Sequence, residues 1–139
     1  MVTTGLDLGK AAKSLEVELS QVEGVICVYL FGSAARGDTS TLGDIDLAVL
    51  LRPDRRGDLS KAMDVLGRVF GERADVSDLA ALPLSIQFRA IRDGVLLYVA
   101  DDLARARFEV QVMQEYLDME FHREEYLGAW FGDVRPGGP

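Results

Sequence analysis

The sequence is poor in the residues that build cross-links, membrane spans and nucleic-acid surfaces. Its single cysteine, Cys27, has no partner for an internal disulfide. Set in an apolar run, it reads as a small buried side chain in a reducing, cytoplasmic compartment. The longest apolar runs, such as Val25 to Phe31, are far too short to span a bilayer. Asp7 and Lys10 interrupt the start of the chain before any signal-peptide-like core develops. Lys and Arg number 15 against 23 Asp and Glu, for a net charge of −8. A phosphate-tracking surface needs clustered cations, so direct nucleic-acid binding is disfavoured. An acidic chain still binds nucleotides where metal ions neutralise the site. At 139 residues the chain is expected to form one domain over 1–132, with 133–139 a flexible tail.

Periodicity predicts strands alternating with helices. Leu8, Ala12, Leu15, Leu19 and Val22 recur at helical spacing and stop near Gly24. Strands are predicted for Val25 to Phe31, Asp44 to Leu51, a stretch beginning at Ala74, and Val95 to Val99. A second helix runs through Leu59, Ala62, Met63, Leu66, Val69 and Phe70 to Gly71, and a third lies between Pro83 and Gly94. The segment "RPDRRGD" reads as a solvated loop. A last long helix starts after Asp101 or Asp102 and reaches about Trp130. The expected fold is α/β (α+β): a mixed sheet of about four strands flanked by helices, with a long C-terminal helix.

Three motif-like stretches fail on their chemistry. "GLDLGKA" has three residues between its glycines where a phosphate loop needs four, and Ala11 where a hydroxyl is required. Asp38 to Val49 places Gly43 correctly for a calcium loop, but Leu42 and Val49 occupy ligand positions. "RGD" at Arg36 to Asp38 has no extracellular partner in a chain expected to stay inside the cell. His122, on a glutamate-rich helix, reads as a solvated surface residue.

One constellation survives. Residues two apart in a strand share a face, with Cα atoms about 6.5–7 Å apart, so Asp44 and Asp46 aim together. Converging carboxylates need a cation to stay ionised. Oxygen ligands without nearby His or Cys favour magnesium or manganese. Upstream, a strand delivers the chain to Gly32, where backbone can approach a ligand closely. Ser33 then opens a short helix whose N–H groups and hydroxyl suit an anion. Arg36, one turn on, either contacts a phosphate or pairs with Asp38 or Asp44. A third carboxylate would complete a metal site for phosphoryl or nucleotidyl transfer, and the third strand offers Asp75 and Asp78 on opposite faces. Asp75 is favoured.

The stretch "GSAARGDTSTLGDID" resembles the signature of the minimal nucleotidyltransferases, a branch of the DNA polymerase β-like superfamily, in which Gly-Ser is followed ten residues later by D-x-D. The likeness extends to "DVSDL" and "IRDGVLLY" and covers about Val22 to Val99. Gly43 departs from the Ser often found there, which bears only on a secondary contact. The resemblance implies a nucleotidyltransferase fold with Gly32 and Ser33 holding the triphosphate of ATP. Asp44 and Asp46 would hold two Mg2+ ions, and Asp75 would complete one metal site and help activate the attacking hydroxyl. Two metals about 3.5–4 Å apart stabilise both the attacking and the leaving oxygen of an in-line displacement.

Larger members of the superfamily hold the acceptor in a second domain, for which this chain leaves no room. The resemblance implies a partner instead: minimal nucleotidyltransferases commonly act as antitoxins, moving AMP from ATP to a tyrosine of a HEPN ribonuclease toxin. On the last helix, Leu103, Ala106, Val110, Met113 and Leu117 form one apolar stripe, and Phe108, Val112, Tyr116 and Met119 form another. Either both stripes are core or one is an interface for a hetero-oligomer. Tyr126, Trp130 and Phe131 are further interface candidates. Two other functions remain open: neutralisation of a partner by contact alone, and nucleotidyl transfer to a small molecule.

Overall fold

A computed structural model describes residues 7–32, 35 and 44–131, with backbone alone for 126–131. Ser33, Arg36 and the expected tail at 133–139 lie outside the described residues, as do the side chains of Tyr126, Trp130 and Phe131.

Asp7 caps helix α1 (Leu8–Glu18) by accepting from the Lys10 N–H at 3.0 Å. The helix tightens into a 3-10 turn, Leu19–Gln21. Strand β1 (Val25–Phe31) is followed by β2 (Ile45–Leu51), helix α2 (Leu59–Phe70), β3 (Ala74–Asp78), α3 (Leu84–Asp93), β4 (Val95–Val99) and α4 (Asp102–Phe131). The strands lie in the order β3-β2-β1-β4. β1 is antiparallel to both β2 and β4, and β2 runs parallel to β3. A parallel pair cannot be joined by a hairpin, and α2 supplies the crossover. The mixed four-stranded sheet, its flanking helices and the long last helix match the architecture expected from the sequence.

Alternation along the strands builds two cores, one on each face. Val28 and Leu30 of β1 join Ile45, Leu47 and Val49 of β2 beneath α1 and α2, where Leu15, Leu19 and Leu66 are fully buried. On the other face Tyr29, Ala48 and Leu50 pack with Ala90 of α3 and with Ala104 and Phe108 of α4. Truncating a side chain such as Leu47 to Ala would cost about 2–5 kcal/mol. Asp46 continues the alternation of Ala48 and Leu50, so it belongs to the α3/α4 face, while Asp44 precedes the strand.

Two local expectations need refinement. "RPDRRGD" is a pair of 3-10 turns over Pro53–Asp58, with a kink at Arg55. Pro53 suits the first position of such a turn. Arg56 projects from it to donate through Nε to Asp78 at 2.7 Å. On α4, capped by Asp101 accepting from the Ala104 N–H at 3.0 Å, the two apolar stripes part company. Val112 is buried and Tyr116 stacks on Phe88 of α3, ring centroids 4.0 Å apart. Leu103, Val110 and Leu117 are 60%, 53% and 65% exposed, so their stripe faces outward. A polar tie sets this rotation. The Tyr29 hydroxyl donates to Glu109, which also accepts from Arg105 Nη1 at 2.7 Å. Burial, then the bond to Glu109, raises the Tyr29 pKa well above its ordinary value. Among the described residues, no helix is long and apolar enough to cross a membrane.

Candidate active site

The end of the sheet where β1 finishes and β2 and β3 begin gathers the carboxylates. In the strand register Asp46 is flanked by Phe31 on β1 and by Asp75 on β3. Parallel pairing therefore sets Asp75 beside Asp46 on a common face, while Ala74 and Val76 turn into the α1/α2 core. Asp44 lies two residues before Asp46, just ahead of β2, and is exposed. The Asp46 carboxyl is held above its ordinary pKa, first by burial and then by the charges of Asp75 and Asp44. Asp46 thus senses both neighbouring acids, in a site that contains no ion-pair partner for any of the three among the described residues.

Gly32 closes the arrangement. Its φ of +76° is left-handed, and a Cβ built there would lie 2.5 Å from Asp46 Oδ2. Backbone and carboxylate are in close approach, and any side chain here would push the Asp46 carboxylate aside. A cleft of about 190 Å³ opens against Gly32, lined by Phe31, Gly32, Ile86, Arg89 and Asp93. Nothing in the linear pattern singled out Arg89. Its signal was present in the bounds of α3, which place Arg89 and Asp93 one turn apart at the helix end nearest β4.

Asp78 has a different environment. It accepts from Arg56 and, through Oδ1 at 3.2 Å, from the Ala80 N–H, capping the turn that follows β3. Its side chain is 12% exposed. Both oxygens are engaged in holding the chain, whereas Asp75 is exposed beside Asp46.

The donor set suits a hard divalent cation: carboxylate oxygens at a sheet end, with no imidazole or thiolate among them. Among the described residues no three acidic, His or Cys side chains meet around one point. An ion here would need further oxygens from water or from a bound ligand, which is the usual condition of magnesium.

Residues 13–103 match the family model described as Polymerase beta, Nucleotidyltransferase. A crystal structure of a toxin–antitoxin with AMP-PNP superimposes with a TM-score of 0.62 at 21% identity, covering 91% of this chain and 100% of that one. A tri-AMPylated Shewanella oneidensis HEPN toxin in complex with its MNT antitoxin gives 0.61 at 17% identity, again over 91% and 100%. A structure assigned as a minimal nucleotidyltransferase gives 0.54 at 27% identity, covering 65% of this chain and 95% of that one. No curated protein matches the chain.

Proposed function

Because the chain belongs to the polymerase beta nucleotidyltransferase family, we propose that it is an antitoxin that transfers AMP from magnesium-bound ATP to a tyrosine of a HEPN toxin in the cytoplasm. The observation that carries this reading is the meeting of Asp46, Asp75 and the Gly32 turn at one sheet end.

Asp44 and Asp46 would hold the magnesium ions. When bound, these would supply Lewis-acid stabilisation of the oxygens around the α-phosphorus. Gly32, with Ser33 and Arg36 beyond it, would receive the triphosphate through backbone N–H groups and side-chain donors. Asp75 would orient the acceptor hydroxyl and take its proton at a carboxylate oxygen. A tyrosine hydroxyl, with an ordinary pKa near 10, is within reach of a carboxylate base assisted by a nearby dication.

The outward stripe of α4 supports a protein acceptor. Leu103, Val110 and Leu117 recur every seven residues, the spacing of a helix-pairing seam, and Met113 adds to it at 40% exposure. We assign this seam to toxin contact. The likeness to toxin–antitoxin complexes supports that assignment.

Co-expression with the toxin followed by mass spectrometry tests the reading. A toxin tyrosine carrying adenylate is expected with the wild type and not with Asp46→Asn. An unmodified toxin neutralised equally by both would leave neutralisation by contact alone.

A further inference from the structure

We propose that Arg89 holds the β- and γ-phosphates of the bound nucleotide and receives the departing pyrophosphate. This rests on the nucleotidyl transfer proposed above and assigns a role within it.

The order of groups across the sheet end carries the inference. Asp75 lies on β3, Asp46 on β2, and Phe31 and Gly32 on β1. Among the described residues the cleft with Arg89 is lined from the β1 end and α3 and by no residue of β2 or β3, and β1 is separated from β3 by β2. In an in-line displacement the incoming and departing oxygens sit on opposite sides of the phosphorus. With the acceptor hydroxyl beside Asp75, the leaving group falls on the Gly32 side, toward Arg89. At about 190 Å³ the cleft is smaller than the roughly 300 Å³ at which complete small-molecule sites begin. It fits part of a nucleotide.

Its charge fits a phosphate. Asp93, the one acid lining the cleft among the described residues, is bound through both oxygens to Arg92, at 2.9 and 2.7 Å. Arg89 makes no hydrogen bond or ion pair among the described residues, in a chain where acids outnumber bases 23 to 15. Helix α3 is well fixed beneath it. The buried Gln87 amide donates to the Ala80 and Leu82 carbonyls at 3.2 and 3.0 Å, and Phe88 stacks on Tyr116.

In the step itself, the acceptor oxygen bonds to the α-phosphorus and the bond from that phosphorus to the α,β-bridging oxygen breaks. The electron pair leaves with pyrophosphate, and the hydroxyl proton passes to Asp75. Arg89 stays protonated throughout and donates N–H groups to the phosphate oxygens.

Calorimetric titration of the full chain in magnesium, with ATP, inorganic pyrophosphate and AMP as separate probes, tests the assignment. Arg89→Ala should weaken ATP and pyrophosphate about tenfold and leave AMP unchanged. Arg89→Lys should recover part of the loss, a point charge replacing the fork. Equal weakening of all three probes would make the cleft a base or ribose site and overturn the proposal. So would unchanged binding of ATP and pyrophosphate. A wild type that binds neither would defeat the nucleotidyl-transfer reading itself.

Discussion

Replacing Gly32 with Ala separates two effects that one methyl group brings. The first is conformational. A non-glycine residue at φ +76° costs about 1–2 kcal/mol, which for a domain of this size lowers Tm by about 3–7 °C. The second is local to the acids. The new Cβ would lie 2.5 Å from Asp46 Oδ2, while ordinary contact begins at 3.4 Å. Asp46 must withdraw by about 0.9 Å, and a displacement on the order of 1 Å at a reacting centre costs on the order of 100-fold in rate. Gly71 provides the control. Its φ is +80°, yet a Cβ there meets nothing within 4 Å. Gly71→Ala should also lower Tm, by at least as much given its ψ of −161°, and keep the wild-type rate. Scanning calorimetry and single-turnover adenylylation of the toxin, at saturating ATP and magnesium, measure the two effects separately. A stability loss of 1–2 kcal/mol leaves a domain of ordinary stability almost wholly folded at 25 °C, so unfolding cannot mimic the rate loss. Should Gly32→Ala and Gly71→Ala transfer AMP equally fast, the close approach of Gly32 to Asp46 would have no catalytic meaning.

Further expectations concern the acids and the thiol. Asp75→Asn should abolish transfer and leave melting intact. Asp78→Asn should lose its ion pair with Arg56 while its remaining amide oxygen still accepts from the Ala80 N–H, lower stability by about 1 kcal/mol and keep its rate; the opposite pattern would exchange their roles. The raised Asp46 carboxyl means that the folded protein binds more protons than the unfolded chain between the ordinary carboxylate pKa and the raised one, so rising pH through that window destabilises the metal-free protein. Asp46→Asn should therefore melt higher than wild type at neutral pH in chelator, with the gap closing below about pH 4; calorimetry at both pH values decides, and a lower melting point at both would contradict it. Burial pushes the Cys27 thiol up to about 12, so a disulfide reagent at pH 8 should label it only on unfolding. Rapid labelling of the native protein would show that the strand is not closed over.

Elements bounded by strong local signals were legible in the sequence. Val25–Phe31 and Val95–Val99 are apolar runs entered through Gly24 and Gly94, and both strands have the expected bounds. Strand β2 was legible for the same reason, although it begins at Ile45, one residue after the expected start at Asp44. What depends on distant packing was not. The partnership of Arg56 with Asp78 arises because the crossover through α2 returns β3 alongside β2, and "RPDRRGD" by itself suggests only solvation. The two stripes of α4 are equally apolar in sequence. Their fates were decided by the Phe88–Tyr116 stack and the Tyr29–Glu109 bond, contacts between residues far apart in the chain. Arg89 was hidden likewise, since a helix pattern does not tell which neighbour its last turn meets.

Helix α4 divides along its length. Up to Tyr116 it is tied down by Phe108, Val112 and the Tyr29–Glu109–Arg105 group. From Leu117 to Glu125 its side chains are exposed, apart from a half-covered Glu120. Substitutions in that outer portion neither open a core nor touch an acid of the site. If this portion docks the partner as proposed, selection on partner choice is uncoupled from selection on folding and on the acids of the sheet end. Under the docking proposed for α4, a lineage could retune which protein it meets by changing positions such as Leu117 and Phe121 while the acids at the sheet end are inherited unchanged.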